Sequence, residues 1–158
     1  MPVEIKRAKI QQIAAGISAM MEVTGCQDTT LILKKHPTSI YFSLGAASIA
    51  GFQLTPLPGC CGILVSHDTF VMPSHQGQGI GTAMMKAKIC IAQDLGFSRL
   101  LATVRSDNGT ELHLLRKAGW VRTDEFVNKR TNHPIECWVL DLTRKALVEE
   151  AMALESSE

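Results

Sequence analysis

The stretch from Val71 to Thr82 constrains this chain more than any other. It reads Val71-Met72-Pro73-Ser74-His75-Gln76-Gly77-Gln78-Gly79-Ile80-Gly81-Thr82. An apolar run, Ile63 to Val71, leads into it. Beyond it, Ile80, Ala83, Met84, Ala87, Ile91 and Leu95 share one face at helical spacing. The pattern predicts a strand, a tight turn and a helix. Glycines at 77, 79 and 81 let the backbone bend sharply and come close to a bound group. The first amides of a helix have no intrahelical partner, and the helix dipole favours an anion there. The same turn could also be a crowded connection with nothing bound. Two nucleotide signatures are excluded: no Lys-Ser or Lys-Thr pair follows the glycines, and there is no G-x-G-x-x-G.

The rest of the chain places this unit in an α/β fold. Val3 to Ile5 suits a short strand, and Ile10, Ile13, Ile17 and Met20 or Met21 suit one face of an amphipathic helix. Leu31 to Leu33 fits a small strand or a helical turn, and Lys34-Lys35-His36-Pro37 reads as a turn. Ser39 to Leu44, Ser48 to Leu54 and Cys61 to Val71 read as three strands of an antiparallel meander. The helix from Gly79 closes near Gly96. Ser98 to Val104 follows a helical crossover, which predicts a strand parallel to the one ending at Val71. Asn108 and Glu111 have capping-box spacing ahead of Leu112, Leu115 and Ala118. Trp120 to Val127 and Ile135 to Leu142 read as two last strands, and Thr143 as the cap of a final helix.

Composition narrows the function classes. With 158 residues the chain is sized for one domain with a real core. Its formal charge of +1 and the lack of a basic run argue against general polyanion binding. Cysteines 26, 60, 61, 90 and 137 are odd in number and contain no C-x-x-C pair, which fits reduced thiols in a cytoplasmic protein. No signal-peptide pattern opens the chain and no segment has the length of a membrane span. The five histidines show no metal-ligand spacing, so no catalytic metal is expected.

Gln76-Gly77-Gln78-Gly79-Ile80-Gly81 matches Gln/Arg-x-x-Gly-x-Gly/Ala. It resembles the acyl-coenzyme A pyrophosphate loop of the GCN5-related N-acetyltransferases, the GNAT superfamily. A second piece stands downstream in the right order: Asn108, a short helix, then Gly119-Trp120 in place of the family's Gly-Phe. The resemblance covers roughly residues 48 to 142. It implies a single-domain GNAT-like fold over 1–142, with a mixed, mostly antiparallel sheet flanked by helices; residues 143–158 read by their own pattern as a C-terminal helix with a frayed acidic end. Two parallel strands would splay apart to form the acyl-CoA cleft.

The resemblance also implies roles. Acetyl-CoA would be the acyl donor. Its pantetheine arm would pair with the backbone at Phe70, Val71 and Met72. Its pyrophosphate would sit on the loop and helix start formed by Gln76, Gly77, Gln78, Gly79, Ile80, Gly81 and Thr82. Asn108 would contact the pantetheine arm, cap its helix, or do both. Gln76 lacks the charge of the family's arginine, which leaves more of the phosphate binding to backbone donors. The family's usual acid, a tyrosine seven residues after the asparagine, is here Leu115, which cannot donate a proton.

The implied reaction is direct attack of an amine on the thioester. His67 is the first candidate for general base, since histidine titrates near neutrality. Strict alternation along its strand would put His67 on the side of residues 65, 69 and 71, and Asp68 on the other, unable to orient it. A one-residue change of register would present Asp68 as the base instead. The acceptor is an amine of open class; nucleic acid is disfavoured by charge, though an aminoacylated nucleic acid stays in play, and a homodimer is left open. The rival reading, favoured by Leu115, is a non-catalytic acyl-CoA-binding or regulatory protein of the same fold.

Overall fold

In the computed structural model, residues 39–154 are described in full and residues 31–36 by their backbone. The strand expected at Val3 to Ile5, the helix over Ile10 to Met20 and Cys26 lie outside the described residues, as does the acidic end of the chain.

Among the described residues seven strands form one sheet. They are β1 (Leu31–His36), β2 (Ser39–Leu44), β3 (Ala50–Pro56), β4 (Ile63–Val71), β5 (Arg99–Arg105), β6 (Val121–Val127) and β7 (Pro134–Asp141), in the order β1-β2-β3-β4-β5-β7-β6. Every neighbouring pair is antiparallel except β4 and β5, which run parallel as the crossover rule requires. Between these two lies the helix α1 (Ile80–Asp94). Helices α2 (Gly109–Lys117) and α3 (Lys145–Met152) complete the described fold.

One buried cluster unites these elements. Phe42, Phe52, Leu54, Leu64, Leu100 and Leu140 project from the sheet, and Met84, Ile91, Leu115 and Ala151 meet them from the three helices. Phe42 and Phe52 stack on neighbouring strands with ring centroids 4.4 Å apart. Helix α1 packs over β3, β4 and β5, and α2 and α3 pack against α1. The apolar stripe of α1, recognisable from its 3.6-residue spacing, is what seats the glycine turn at the end of β4.

Three local expectations need correction. Lys34, Lys35 and His36 are not a turn: they extend β1, pairing with Tyr41, Ile40 and Ser39 of β2. Thr143 does not cap α3: its hydroxyl and its amide both donate to Asp141 Oδ1, at 2.6 and 3.0 Å, and Arg144 takes the N-cap position. The third correction concerns β4. Gly51 stands opposite Phe70, yet Gln53 stands opposite His67, so β4 carries one extra residue across this interval. The excess is a β-bulge, and Asp68 adopts φ 53° within it. Strict alternation therefore ends at Asp68.

Candidate acyl-CoA cleft

β4 and β5 pair from Ile63↔Arg99 to Ser66↔Ala102 and no further, although both strands continue. The bulge at Asp68 turns β4 away at this point. A cleft of about 680 Å³ lies beyond the last pair. Its walls are Thr69 to Val71 of β4, the glycine turn, the start of α1, and one side of α2 with its cap Asn108.

The floor of the turn is built for close approach. A short 3₁₀ turn, Pro73–His75, leads out of β4. Gly77 and Gly79 then adopt φ 78° and 80°, left-handed values that favour glycine. Gly79 is the N-cap of α1, and the first intrahelical bond is Ala83 N–H to Gly79 C=O at 3.1 Å. The amides of Ile80, Gly81 and Thr82 precede that bond and have no partner within the helix. No acidic residue occupies the first turn of α1 to repel an anion. These features fit a phosphate. Gln76 takes a supporting part: its side-chain amide donates to the Val71 carbonyl at 3.1 Å and ties the turn to the strand end.

On the opposite wall Asn108 caps α2, its Oδ1 accepting the Glu111 amide at 3.3 Å. Of the residues expected to bind cofactor, Phe70, Val71, Gln76, Gly77, Gly79, Ile80, Gly81, Thr82 and Asn108 line the cleft, while Met72 and Gln78 flank it in sequence. Phe70 and Met72 are exposed apolar side chains at the strand end. The Phe70 ring rests against Gly51, where a Cβ would come within 3.0 Å of it and within 2.7 Å of the Phe42 carbonyl.

His67 and Asp68 are brought together by the bulge, contrary to the expectation that they face apart. His67 Nδ1 lies 3.1 Å from Asp68 Oδ2, and His67 Nε2 lies 2.8 Å from Thr55 Oγ1. Thr55 Oγ1 in turn lies 2.7 Å from Ser39 Oγ. A chain of side chains thus runs across β2, β3 and β4, one turn of strand before the cleft wall begins. With Nδ1–H donated to Asp68, Nε2 carries the lone pair and accepts from Thr55. His67 keeps a side-chain exposure of 30% and Asp68 of 69%, so the pair reaches solvent.

Leu115, at the position of the family's tyrosine, is fully buried in the core, whereas His113 and Leu114 beside it line the cleft. Sequence reasoning missed Glu111, His113 and Lys117 on this wall. His113 and Lys117, four residues apart, share one side of α2, a spacing already visible in the sequence. It also missed Lys88, which is 2% exposed. Lys88 lies within the apolar stripe of α1, four residues after Met84 and three before Ile91. Among the described residues no group of three or more histidine, cysteine or acidic side chains is placed to hold a metal.

An α/β sheet opened between two parallel strands, with a helix N-terminus at its mouth, defines an acyl-CoA-type transferase fold. The acetyltransferase (GNAT) family matches residues 36–120, and the chain belongs to that family. A stretch of 62 residues is 37% identical to the L-amino acid N-acyltransferase MnaT of Escherichia coli K12, covering 39% of this chain and 36% of that protein. The chain thus matches little more than a third of that relative's length. A GNAT-family putative acetyltransferase from Desulfovibrio desulfuricans shares the fold with a TM-score of 0.60, at 14% identity over 67% of this chain and 70% of its own. The ribosomal-protein-S18-alanine N-acetyltransferase of Escherichia coli does so with a TM-score of 0.58, at 17% identity over 68% of this chain and 72% of its own. Family members use acyl-CoA donors and amine acceptors. Among the described residues no helix is long and apolar enough to cross a membrane.

Proposed function

We propose that this protein is an N-acetyltransferase that moves the acetyl group of acetyl-CoA to an amine by direct attack. The observation that carries the reading is the gap between β4 and β5 beyond Ser66 and Ala102, continuous with the unpartnered amides of Ile80 to Thr82. The end of β4 at Phe70 to Met72, where β4 no longer pairs with β5, suits a pantetheine arm. The α1 N-terminus suits the pyrophosphate. A backbone donor near Val71 would hold the charge that develops on the thioester oxygen.

His67 is proposed as the base that takes the acceptor's proton. Asp68 supports it by accepting Nδ1–H, which leaves the lone pair on Nε2. Thr55 must release that nitrogen as the amine arrives. Amino acids come first among acceptors, because the MnaT relative is named for them. A panel of amino acids, polyamines and peptides, followed by release of free CoA thiol, tests the proposal. Amine-dependent thiol release supports transfer. CoA binding without turnover on any amine supports the rival reading, a non-catalytic acyl-CoA-binding protein.

A further inference from the structure

Lys88 is the one described charged side chain buried in the helical stripe of α1, and nothing in the reaction so far uses it. Its Nζ donates to Thr69 Oγ1 at 2.8 Å and lies 5.1 Å from the centroid of the Phe52 ring. Among the described residues no salt bridge neutralises it. β3 presents the Phe52 ring and β4 the Thr69 hydroxyl, beside Asp68 of the bulge. The carboxylate of Glu111 acts on it from α2. Thr69 is the first cleft-lining residue past the bulge, in the part of β4 that has left β5. Because Lys88 occupies an acceptor site of the Thr69 oxygen, the hydroxyl proton is left to point elsewhere.

We propose that Lys88 and Thr69 form a proton relay that delivers the proton needed by the departing thiolate, replacing the tyrosine that Leu115 cannot supply. Thr69 touches the reacting sulfur and Lys88 acts through it as a positioning and proton-supplying residue. The inference rests on the acyl-transfer reading. Burial supports it by pushing the Lys88 ammonium below the usual lysine range, against the opposing pull of Glu111, so its proton is easier to give up.

The step balances without a further reactant. The acceptor enters as an ammonium and loses one proton to His67 before attack. The C–N bond forms and the C–S bond breaks. The thiolate takes the Thr69 proton as Thr69 takes one from Lys88. The new amide nitrogen sheds its second proton, which goes through water to reload Lys88. One proton per turnover leaves to solvent from His67.

The test compares wild type with Lys88→Met, Thr69→Val and Thr69→Ser, using acetyl-CoA and an accepted amine. Lys88→Met and Thr69→Val should each lower kcat by about 10²-fold, the low end for general acid catalysis because a thiolate is a tolerable leaving group. The basic limb of the wild-type pH profile, where rate falls as Lys88 deprotonates, should vanish in both. Acetyl-CoA affinity by calorimetry should stay. Thr69→Ser should restore rate and limb, which a mere packing role would not explain. Thr69→Val strips the buried Lys88 of its acceptor, so the double variant Lys88→Met/Thr69→Val, which removes both partners, keeps the test open if either single variant fails to fold. An active wild type whose variants keep both rate and basic limb overturns the relay alone. A wild type that binds acetyl-CoA but acylates no amine overturns the transferase reading, and the relay with it.

Discussion

Gly79→Ala probes the phosphate site through backbone conformation. Gly79 holds φ 80°, ψ 8° as the N-cap of α1. A residue with a Cβ pays roughly 1–2 kcal/mol in that left-handed region. The strain is relieved by rotation at the helix start, which turns the amides of Ile80, Gly81 and Thr82 away from the cleft. A hydrogen bond to a charged group is worth about 1.5–3 kcal/mol, so two misaligned donors weaken binding by about 3 kcal/mol or more. That corresponds to a CoA Kd raised on the order of 10²-fold. Gly96→Ala is the matched control. Gly96 has φ 79° just past the other end of α1, with no atom within 4 Å of an added Cβ. It carries the same strain remote from the turn. Calorimetry with CoA should show weak binding for Gly79→Ala and wild-type binding for Gly96→Ala, at matched thermal stability. Equal affinity in folded Gly79→Ala, or in the bulkier Gly79→Val, refutes the assignment.

Further outcomes follow from the same geometry. His67→Gln should keep CoA binding and lose activity by about 10²- to 10⁴-fold, with Asp68→Asn less impaired; a wild-type rate in His67→Gln would remove it as base. Leu115→Ala should cost about 2–5 kcal/mol in denaturant unfolding because the side chain is fully buried, yet leave the shape of the pH profile unchanged. Lys88 also ties stability to pH. Its folded-state pKa is lowered, so between that value and the ordinary 10.5 the unfolded chain binds more protons and wild-type stability rises with pH. The benefit is full above the unfolded value and is lost as pH falls through the folded one. Lys88→Met should abolish that slope and raise the neutral-pH Tm while slowing the reaction; a lower Tm at unchanged slope would contradict the burial argument.

Much of this was legible in the residues because periodicity and glycine position act locally. The stripe from Ile80 to Leu95, the meander from Ser39 to Val71 and the cap at Asn108 each need only a few neighbours in sequence. The parallel pairing of β4 and β5 followed from the helical crossover between them. What stayed hidden depends on partners across the sheet. The bulge at Asp68 exists because β3 and β4 count differently between Gly51–Gln53 and His67–Phe70. No pattern within β4 reveals it, and it reverses the relation of His67 to Asp68. The second half of β1 was hidden for a similar reason: Lys34 and Lys35 look like turn residues until β2 supplies the ladder. Lys88 stood in plain sight as a cation in an apolar stripe. Its partner Thr69 is 19 positions away, and only the fold joins them.

A crystal structure of the protein with acetyl-CoA and an amine acceptor measures the central claim most directly. The account expects the pyrophosphate on the amides of Ile80 to Thr82 and the pantetheine arm along β4 at Phe70 to Met72. The sulfur should lie within hydrogen-bond reach of Thr69 Oγ1, with the amine on the His67 side of the bulge. A donor bound outside the gap between β4 and β5, or a thioester remote from Thr69 and His67, would contradict it.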